Sequence, residues 1–170
     1  IESNGRKNPN QEPCLIIEHA DVRRMLLKQK AIVEGALSLL IETAKYADIS
    51  KAAEGQEKED AHLLLELLTP MAKTYPSEKG KEAIDNGLQV LGGYGFCTDF
   101  ILQQYYRDIR IMSLYEGTTG IQSLDLLGRK VTMENGKGLQ LLVAKINDLV
   151  TEAATYDESK PYTPQLFQKL

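Results

Sequence analysis

The stretch HADVRRMLLKQKAIVEGALSLLIETAKYADI, residues 19–49, contains no proline and one glycine and predicts one long helix. Its apolar residues recur at helical spacing along two neighbouring stripes. The first stripe comprises Leu26, Val33, Leu37, Leu40 and Ala44, and the second comprises Met25, Ile32, Ala36 and Leu39. At about 1.5 Å per residue the helix reaches about 45 Å. Two apolar stripes on one helix indicate packing neighbours on two sides.

Apolar periodicity predicts four further helices, at residues 57–73, 77–91, 118–131 and 137–155. A break is expected at residues 74–76, where Pro76 interrupts the pattern and Ser77 follows as a cap. Gly92 is expected to cap the next helix at its C-terminal end. Thr118–Thr119 is expected to open the following helix with Gln122 at capping-box spacing. Residues 92–116 show no clean long period and are expected to be the least regular ordered segment.

Glycine-punctuated amphipathic helices without a convincing alternating strand predict an all-α domain, most simply an antiparallel helical bundle. We expect a four-helix core and an extra C-terminal helix. The expected units are a polar linker at residues 1–14, the four-helix bundle at 15–132, an additional amphipathic helix at 133–155 and a tail at 156–170. Bundles serve unrelated functions, so specific residues must decide the function.

Composition excludes several classes of protein. The 170 residues are 42% hydrophobic and 26% charged, as is usual for a globular domain. The net charge of −4 argues against a nucleic-acid partner, and the apolar runs are far shorter than the roughly 20 residues of a membrane span. Cys14 and Cys97 lie far apart without metal-ligand spacing, which predicts no metal site and a reducing, cytoplasmic compartment.

Two candidate segments leave alternatives open when taken alone. Residues 89–96 place three glycines just past a helix, where the backbone forms either a C-cap with a tight turn or a close approach to a ligand. Glu116 precedes a predicted helix start, where a surface carboxylate serves the helix N-terminus equally well. The order in which these segments and a third motif follow one another favours the functional alternative for both.

Three motifs in sequence resemble the C-terminal helical domain of the acyl-CoA dehydrogenases. They are Leu-Gly-Gly-Tyr-Gly at residues 91–95, Tyr-Arg-Asp-Ile-Arg at 106–110 and Tyr-Glu-Gly-Thr at 115–118. The likeness covers residues 89–129 and continues more weakly from Asp21 onward. The helix that follows residue 128 looks most like the larger bacterial subfamily that includes methylmercaptopropionyl-CoA dehydrogenases.

The resemblance implies a flavoenzyme that removes two hydrogens from an acyl-CoA thioester with FAD as acceptor. Glu116 falls on the catalytic base, a role that suits a positioned carboxylate beside a thioester carbon acid. The residues that correspond to FAD contacts are Gln89, Gly92, Gly93 and Thr118. The residues that correspond to the substrate pocket are Tyr115 and Gly117. Thr118 as a simple helix cap and Tyr115 as a core tyrosine remain the structural alternatives.

The resemblance also implies partners. It implies a homo-oligomer, either a dimer or a tetramer, in which Gln89 and the glycines contact the FAD of a neighbouring subunit, and an electron-transfer acceptor protein. Arg107, Asp108 and Arg110 are expected to form an ion-pair and capping network that fixes the loop of Glu116.

Gly120 departs from the family, where many members have glutamine at this position. The family's N-terminal helical and middle β-domains are expected upstream of Ile1, so this fragment alone is expected neither to retain FAD nor to turn over acyl-CoA. The alternatives are a non-catalytic helical oligomerisation domain and a diverged flavin-binding relative.

Overall fold

A computed structural model describes residues 12–155, which form α-helices and no strand. The helices are α1 Ala20–Ala52, α2 Gly55–Leu91, α3 Leu102–Met112, α4 Thr119–Asp125 and α5 Lys137–Ala154. The predicted all-α fold is therefore confirmed. No helix in this part of the chain is long and apolar enough to cross a membrane. Most of the predicted linker and the predicted tail, residues 156–170, lie outside the described residues.

The two longest helices, α1 and α2, form an antiparallel hairpin joined at Ala53 and Glu54. Of the two predicted stripes on α1, the one that contains Met25 and Ile32 is buried against α2. The other stripe is largely exposed: Leu26, Val33, Leu37 and Leu40 are between 37% and 58% accessible. Within residues 12–155, α1 therefore has a packing neighbour along one stripe and an uncovered apolar stripe beside it.

The core lies where α2 meets α1 and α5. Leu63, Leu64 and Leu67 of α2 are almost completely buried, and Tyr46 of α1 is 4% accessible. The Tyr46 hydroxyl donates a hydrogen bond to Glu42 Oε1 at 2.6 Å, which satisfies the polar end of this core side chain. Burial and this carboxylate together raise the pKa of Tyr46.

The predicted break at residues 74–76 is wrong, because α2 continues without interruption through Pro70 and Pro76. Each proline removes one helical hydrogen bond, at a cost of about 3 kcal/mol. Pro70 is among the fully buried side chains, so its packing offsets part of this cost. Ser77 lies inside the helix instead of capping it, and its hydroxyl donates to the carbonyl oxygen of Lys73 at 2.7 Å.

The segment predicted as least regular contains a 3-10 turn, Gly92–Phe96, and then the helix α3. Two glycines of α2 receive the side chains of α3. A Cβ on Gly80 would lie 2.6 Å from Ile109 Cδ1, and a Cβ on Gly87 would lie 3.1 Å from Leu102 Cδ1. The missing side chains therefore let α3 approach α2 closely.

The chain beyond α4 returns to α2 through a π turn, Leu126–Lys130. Lys130 is buried and forms an ion pair with Glu66 of α2. The surroundings lower the pKa of Lys130 through desolvation, so this pairing matters for keeping its charge. The end of the π turn that follows α4 is thus attached to α2 by an ion pair.

The predicted fifth helix is confirmed as α5, but its apolar stripe is mostly uncovered. Leu141 and Leu142 pack against the core, and Gly138 lies close to the backbone of Leu63. The exposed large apolar residues on α5 are Leu139, Val143, Ile146, Leu149 and Val150, between 39% and 62% accessible. As on α1, an apolar surface remains without a neighbour in residues 12–155.

Replacement of Gly95 by alanine is expected to lower the free energy of unfolding by about 1–3 kcal/mol. Gly95 is buried, and a Cβ there would lie 2.7 Å from the carbonyl oxygen of Leu88, a backbone atom that cannot turn aside. Gly93→Ala is the control, because a Cβ at Gly93 meets nothing within 4 Å and its φ is not positive. Urea titration of both variants measures the difference, and equal losses would contradict the close packing of the turn.

Candidate active site

Glu116 lies in the loop between α3 and α4, which we call the Glu116 turn, residues 113–118. Its backbone is left-handed, with φ of 51° at Glu116, and Gly117 follows with φ of 91°. A left-handed glutamate costs on the order of 1–3 kcal/mol and persists where surrounding contacts hold it. At Gly117 any Cβ would also lie 2.7 Å from Gln122 Nε2, so glycine is required there.

Side chains from both flanking regions hold this turn. Lys73 of α2 donates from Nζ to the carbonyl oxygen of Gly117 at 2.5 Å. Gln122 of α4 donates from Nε2 to the carbonyl oxygen of Glu116 at 3.2 Å. Two successive carbonyl groups of the turn are therefore each bonded to a different helix.

The start of α4 is capped as predicted at Thr118, whose Oγ1 accepts a hydrogen bond from the backbone N–H of Ile121 at 3.3 Å. The predicted capping box is not formed as such. Residue N3 of the helix is Ile121, and Gln122 reaches back to the turn instead. Gln122 therefore contacts the backbone of Glu116 and not the N-cap backbone of α4.

A second contact joins the start of α4 to α2. Thr119 Oγ1 donates to Glu78 Oε1 at 2.5 Å. This hydrogen bond, together with the positive charges of Lys81 and Arg110, holds the pKa of Glu78 below its ordinary value. The acceptor carboxylate is therefore ionised at neutral pH.

Glu116 is exposed and lines a cleft of about 480 Å³ between α2, α3 and the start of α4. Apolar and thioether groups of Ile109, Met112 and Tyr115 line it beside Lys73. Tyr115 is 46% accessible, so it is not the core tyrosine that the structural alternative requires. Its hydroxyl lies 3.1 Å from Met112 Sδ.

The structure brings four of the seven predicted site residues together in one turn: Tyr115, Glu116, Gly117 and Thr118. The other three, Gln89, Gly92 and Gly93, lie at the C-terminal end of α2. Gln89 is 16 residues beyond Lys73, which is about 24 Å along the helix axis.

The two glycines that follow α2, Gly92 and Gly93, differ in backbone conformation. Gly92 has φ of 60° and caps the helix, as predicted. Gly93 is exposed and has an ordinary φ, and a Cβ there would meet no atom within 4 Å. Neither the packing of the described chain nor its backbone requires glycine at Gly93. The open surface above it leaves room for a ligand to approach the backbone closely.

The expected ion-pair network of the Arg107 motif is not formed. Among the described residues, Arg107 and Asp108 make no ion pair, and both line a separate exposed cleft of about 780 Å³ with Lys81. Of the three residues of this motif, Arg110 is the one that supports the turn, because its guanidinium donates to the buried Ser113 hydroxyl. The physical reason is that α3 turns its charged face to solvent while Ile109 packs on α2.

Sequence reasoning missed Lys73, Glu78 and Gln122 as parts of the site. Lys73 and Glu78 contact the site across 44 and 41 residues of sequence. No local pattern distinguishes them from other polar residues of an amphipathic helix. Gln122 carried a signal, its capping-box spacing, but that pattern predicts that its side chain accepts from a backbone N–H, whereas it donates to the Glu116 carbonyl.

The fold and the site together define an all-helical domain that presents a glutamate from a left-handed turn at the edge of a cleft. The family model described as acyl-CoA dehydrogenase, C-terminal domain, matches residues 7–131. The chain therefore belongs to the acyl-CoA dehydrogenase family, and the predicted resemblance is confirmed. The match to the family model ends at residue 131, so α5 lies beyond the matched residues.

Individual relatives agree with this assignment. The chain is 39% identical over 137 residues to 3-methylmercaptopropionyl-CoA dehydrogenase of Ruegeria pomeroyi, covering 81% of the chain and 23% of that protein. It is 38% identical over 156 residues to a butyryl-CoA dehydrogenase of Syntrophomonas wolfei, covering 91% and 26%. It is 38% identical over 141 residues to the broad-specificity linear acyl-CoA dehydrogenase FadE5 of Mycobacterium tuberculosis, covering 82% and 23%. The chain spans about a quarter of the length of these relatives.

The contact between Glu78 and Thr119 is expected to make stability depend on pH. The pKa of Glu78 in the folded chain is below its ordinary value of 4.5. Its stabilising contribution is therefore fully present above the unfolded pKa, and is lost as the pH falls through the lower folded pKa. At pH 7 the free energy of unfolding of the wild-type chain should exceed that of Glu78→Gln, and the difference between the two should shrink as the pH falls.

Urea titrations at a series of pH values measure this difference. Glu57→Gln is the control, because Glu57 is an exposed residue in the first turn of the same helix. A difference between wild type and Glu78→Gln that stays constant from pH 7 to acid would show that the carboxylate does not support the start of α4.

Proposed function

We propose that this chain is the C-terminal domain of an FAD-dependent acyl-CoA dehydrogenase and that Glu116 is its catalytic base. The observation that carries the proposal is the placement of the Glu116 carboxylate at the cleft by a doubly left-handed turn, in a chain of this family. A turn of this kind is costly, and strained backbone clusters at functional sites.

In the proposed reaction, the Glu116 carboxylate removes the proton from the α-carbon of an acyl-CoA thioester and becomes a carboxylic acid. When bound, FAD supplies the acceptor for the hydrogen that leaves the β-carbon with its electron pair. The 2,3-double bond forms as the two C–H bonds break. Tyr115 and Gly117 line the acyl-CoA beside the base, and Tyr115 offers a half-exposed ring for this purpose.

We assign Thr118, Gln89, Gly92 and Gly93 to FAD. Gln89 lies about 24 Å along α2 from Lys73, which is bonded to the turn of Glu116, and the two glycines follow the end of that helix. This separation supports contacts with two different FAD molecules, one near Thr118 and another, belonging to a neighbouring subunit, near Gly93. The open surface above Gly93 suits the second contact.

We further propose that the whole protein is a homo-oligomer, a dimer or a tetramer, and that it works in the cytoplasm with an electron-transfer acceptor protein. The exposed apolar stripe of α1 supports a helical partner, because soluble proteins rarely leave such a contiguous surface uncovered. The same stripe would suit the alternative, a helical oligomerisation domain without chemistry. That alternative gives no reason for the strained backbone at Glu116.

Glu116→Gln in the full-length protein is expected to lower the rate of flavin reduction by acyl-CoA by about 100-fold or more, because the amide cannot accept the α-proton. Anaerobic mixing with a panel of acyl-CoA thioesters, followed by flavin absorbance, measures this rate. Glu134→Gln is the matched control, since Glu134 is also an exposed glutamate with a positive φ, of 48°. Unchanged reduction by Glu116→Gln would eliminate the proposed base.

Gly93→Leu is expected to weaken FAD binding by about 10-fold or more, because the new side chain fills the space that the ligand requires. The flavin content of the purified full-length protein and titration of the apoprotein with FAD measure this effect. Gly128→Leu is the control, because a Cβ at Gly128 also meets nothing within 4 Å. Equal FAD affinity in both variants would remove Gly93 from the FAD site.

A further inference from the structure

The backbone conformation of Glu116 sets the direction of its Cα–Cβ bond, and hydrogen bonds hold the peptide groups on either side of Gly117. Glu116 and Gly117 are both left-handed, with φ of 51° and 91°. A glutamate that is released from such a conformation relaxes to the ordinary region, where φ is negative. The Cα–Cβ direction of Glu116 would then change, and the carboxylate would move relative to the cleft.

Two hydrogen bonds oppose this relaxation. Gln122 holds the Glu116 carbonyl from α4, which directly follows the turn. Lys73 holds the Gly117 carbonyl from α2, the helix on which the rest of the described chain packs. The bond from Lys73 carries a full positive charge on the donor, and such charge-assisted bonds are roughly twice as strong as neutral ones.

From these contacts we infer that Lys73 is a positioning residue for catalysis, which acts by fixing the Gly117 peptide and thereby the direction of the Glu116 carboxylate. The inference rests on the proposed role of Glu116 as the base. Within residues 12–155, Lys73 is the charged side chain that ties a carbonyl of the Glu116 turn to another helix.

Lys73 is suited to this role by its surroundings. Its side chain is half-buried, and it lies four residues before Ser77, whose hydroxyl bonds to the Lys73 carbonyl inside α2. The backbone of Lys73 is therefore fixed in a helix that crosses the whole domain. One of the three N–H groups of its ammonium donates to the Gly117 oxygen at 2.5 Å, which ties Lys73 to the turn.

The central test is Lys73→Met in the full-length protein. Methionine keeps the length and the apolar stem of the side chain but removes the donor. We expect kcat to fall by about 10- to 100-fold, since small misplacements of a reacting group have effects of this size. We expect KM to change by less than about 3-fold, since methionine keeps an apolar stem at the position where Lys73 lines the cleft.

A kinetic isotope effect separates positioning from general damage. With acyl-CoA deuterated at the α-carbon, the isotope effect on kcat should rise in Lys73→Met, because proton removal becomes more fully rate-limiting. Lys73→Arg retains a charged donor and should recover most of kcat. Lys58→Met, on an exposed residue of the same helix, is the control and should leave both quantities unchanged.

Three outcomes would overturn the inference. They are a normal kcat and isotope effect in Lys73→Met, a higher KM at unchanged kcat, and no recovery in Lys73→Arg. If Lys73→Met does not fold, Lys73→Gln takes its place, because its shorter amide cannot reach the same oxygen, and the same fall in kcat is expected. A normal kcat in that variant is equally contradictory.

The proposed function and this inference fail in different ways. If Glu116→Gln is fully active, the base assignment fails and the role of Lys73 falls with it. If Glu116→Gln is inactive while Lys73→Met behaves as wild type, the base assignment stands and only the positioning role is wrong.

Discussion

The unbroken course of α2 is the constraint on which the rest of the structure depends. This helix runs from Gly55 to Leu91, and α1, α3, α4 and α5 all pack against it. Its leucines form the core, its glycines receive α3, and Lys73 and Glu78 hold the Glu116 turn and the start of α4. Because one rigid helix carries all these contacts, a shift in its register would move the Glu116 turn and the core together.

Helical periodicity predicted the helices that carry long amphipathic patterns, but it failed where tertiary contacts outweigh local preference. Pro76 predicted a break, yet the helix continues, because packing on both sides of the proline outweighs its local cost. The helix α3 was missed because its anchors, Leu102 and Ile109, are matched by Gly80 and Gly87 on another helix. A glycine that accepts a neighbour looks the same in sequence as a glycine that ends a helix.

The site also contains residues that a local motif predicts and residues that only a distant contact identifies. The motif at residues 115–118 identified the turn, since family motifs record residue types at fixed spacing. Neither Lys73 nor Glu78 was predicted, because their partners lie more than 40 residues away and lysine and glutamate are the usual residues of an exposed helix face. Conversely, the expected ion pairs of Arg107 and Asp108 followed from charge alone, and charge without geometry rarely fixes a contact at a surface.

A base that must remove a weakly acidic proton has to be both reachable and immobile, and these demands conflict in an exposed side chain. Glu116 is reachable because it is exposed at the edge of the cleft. An exposed glutamate whose backbone also moved would lose the advantage of fixed geometry. Here the backbone is held instead, by Lys73 from α2 and Gln122 from α4 on successive carbonyls. The strain of the left-handed Glu116 is therefore the cost of presenting a carboxylate on a short, tethered turn, and the tethers explain how that strain persists.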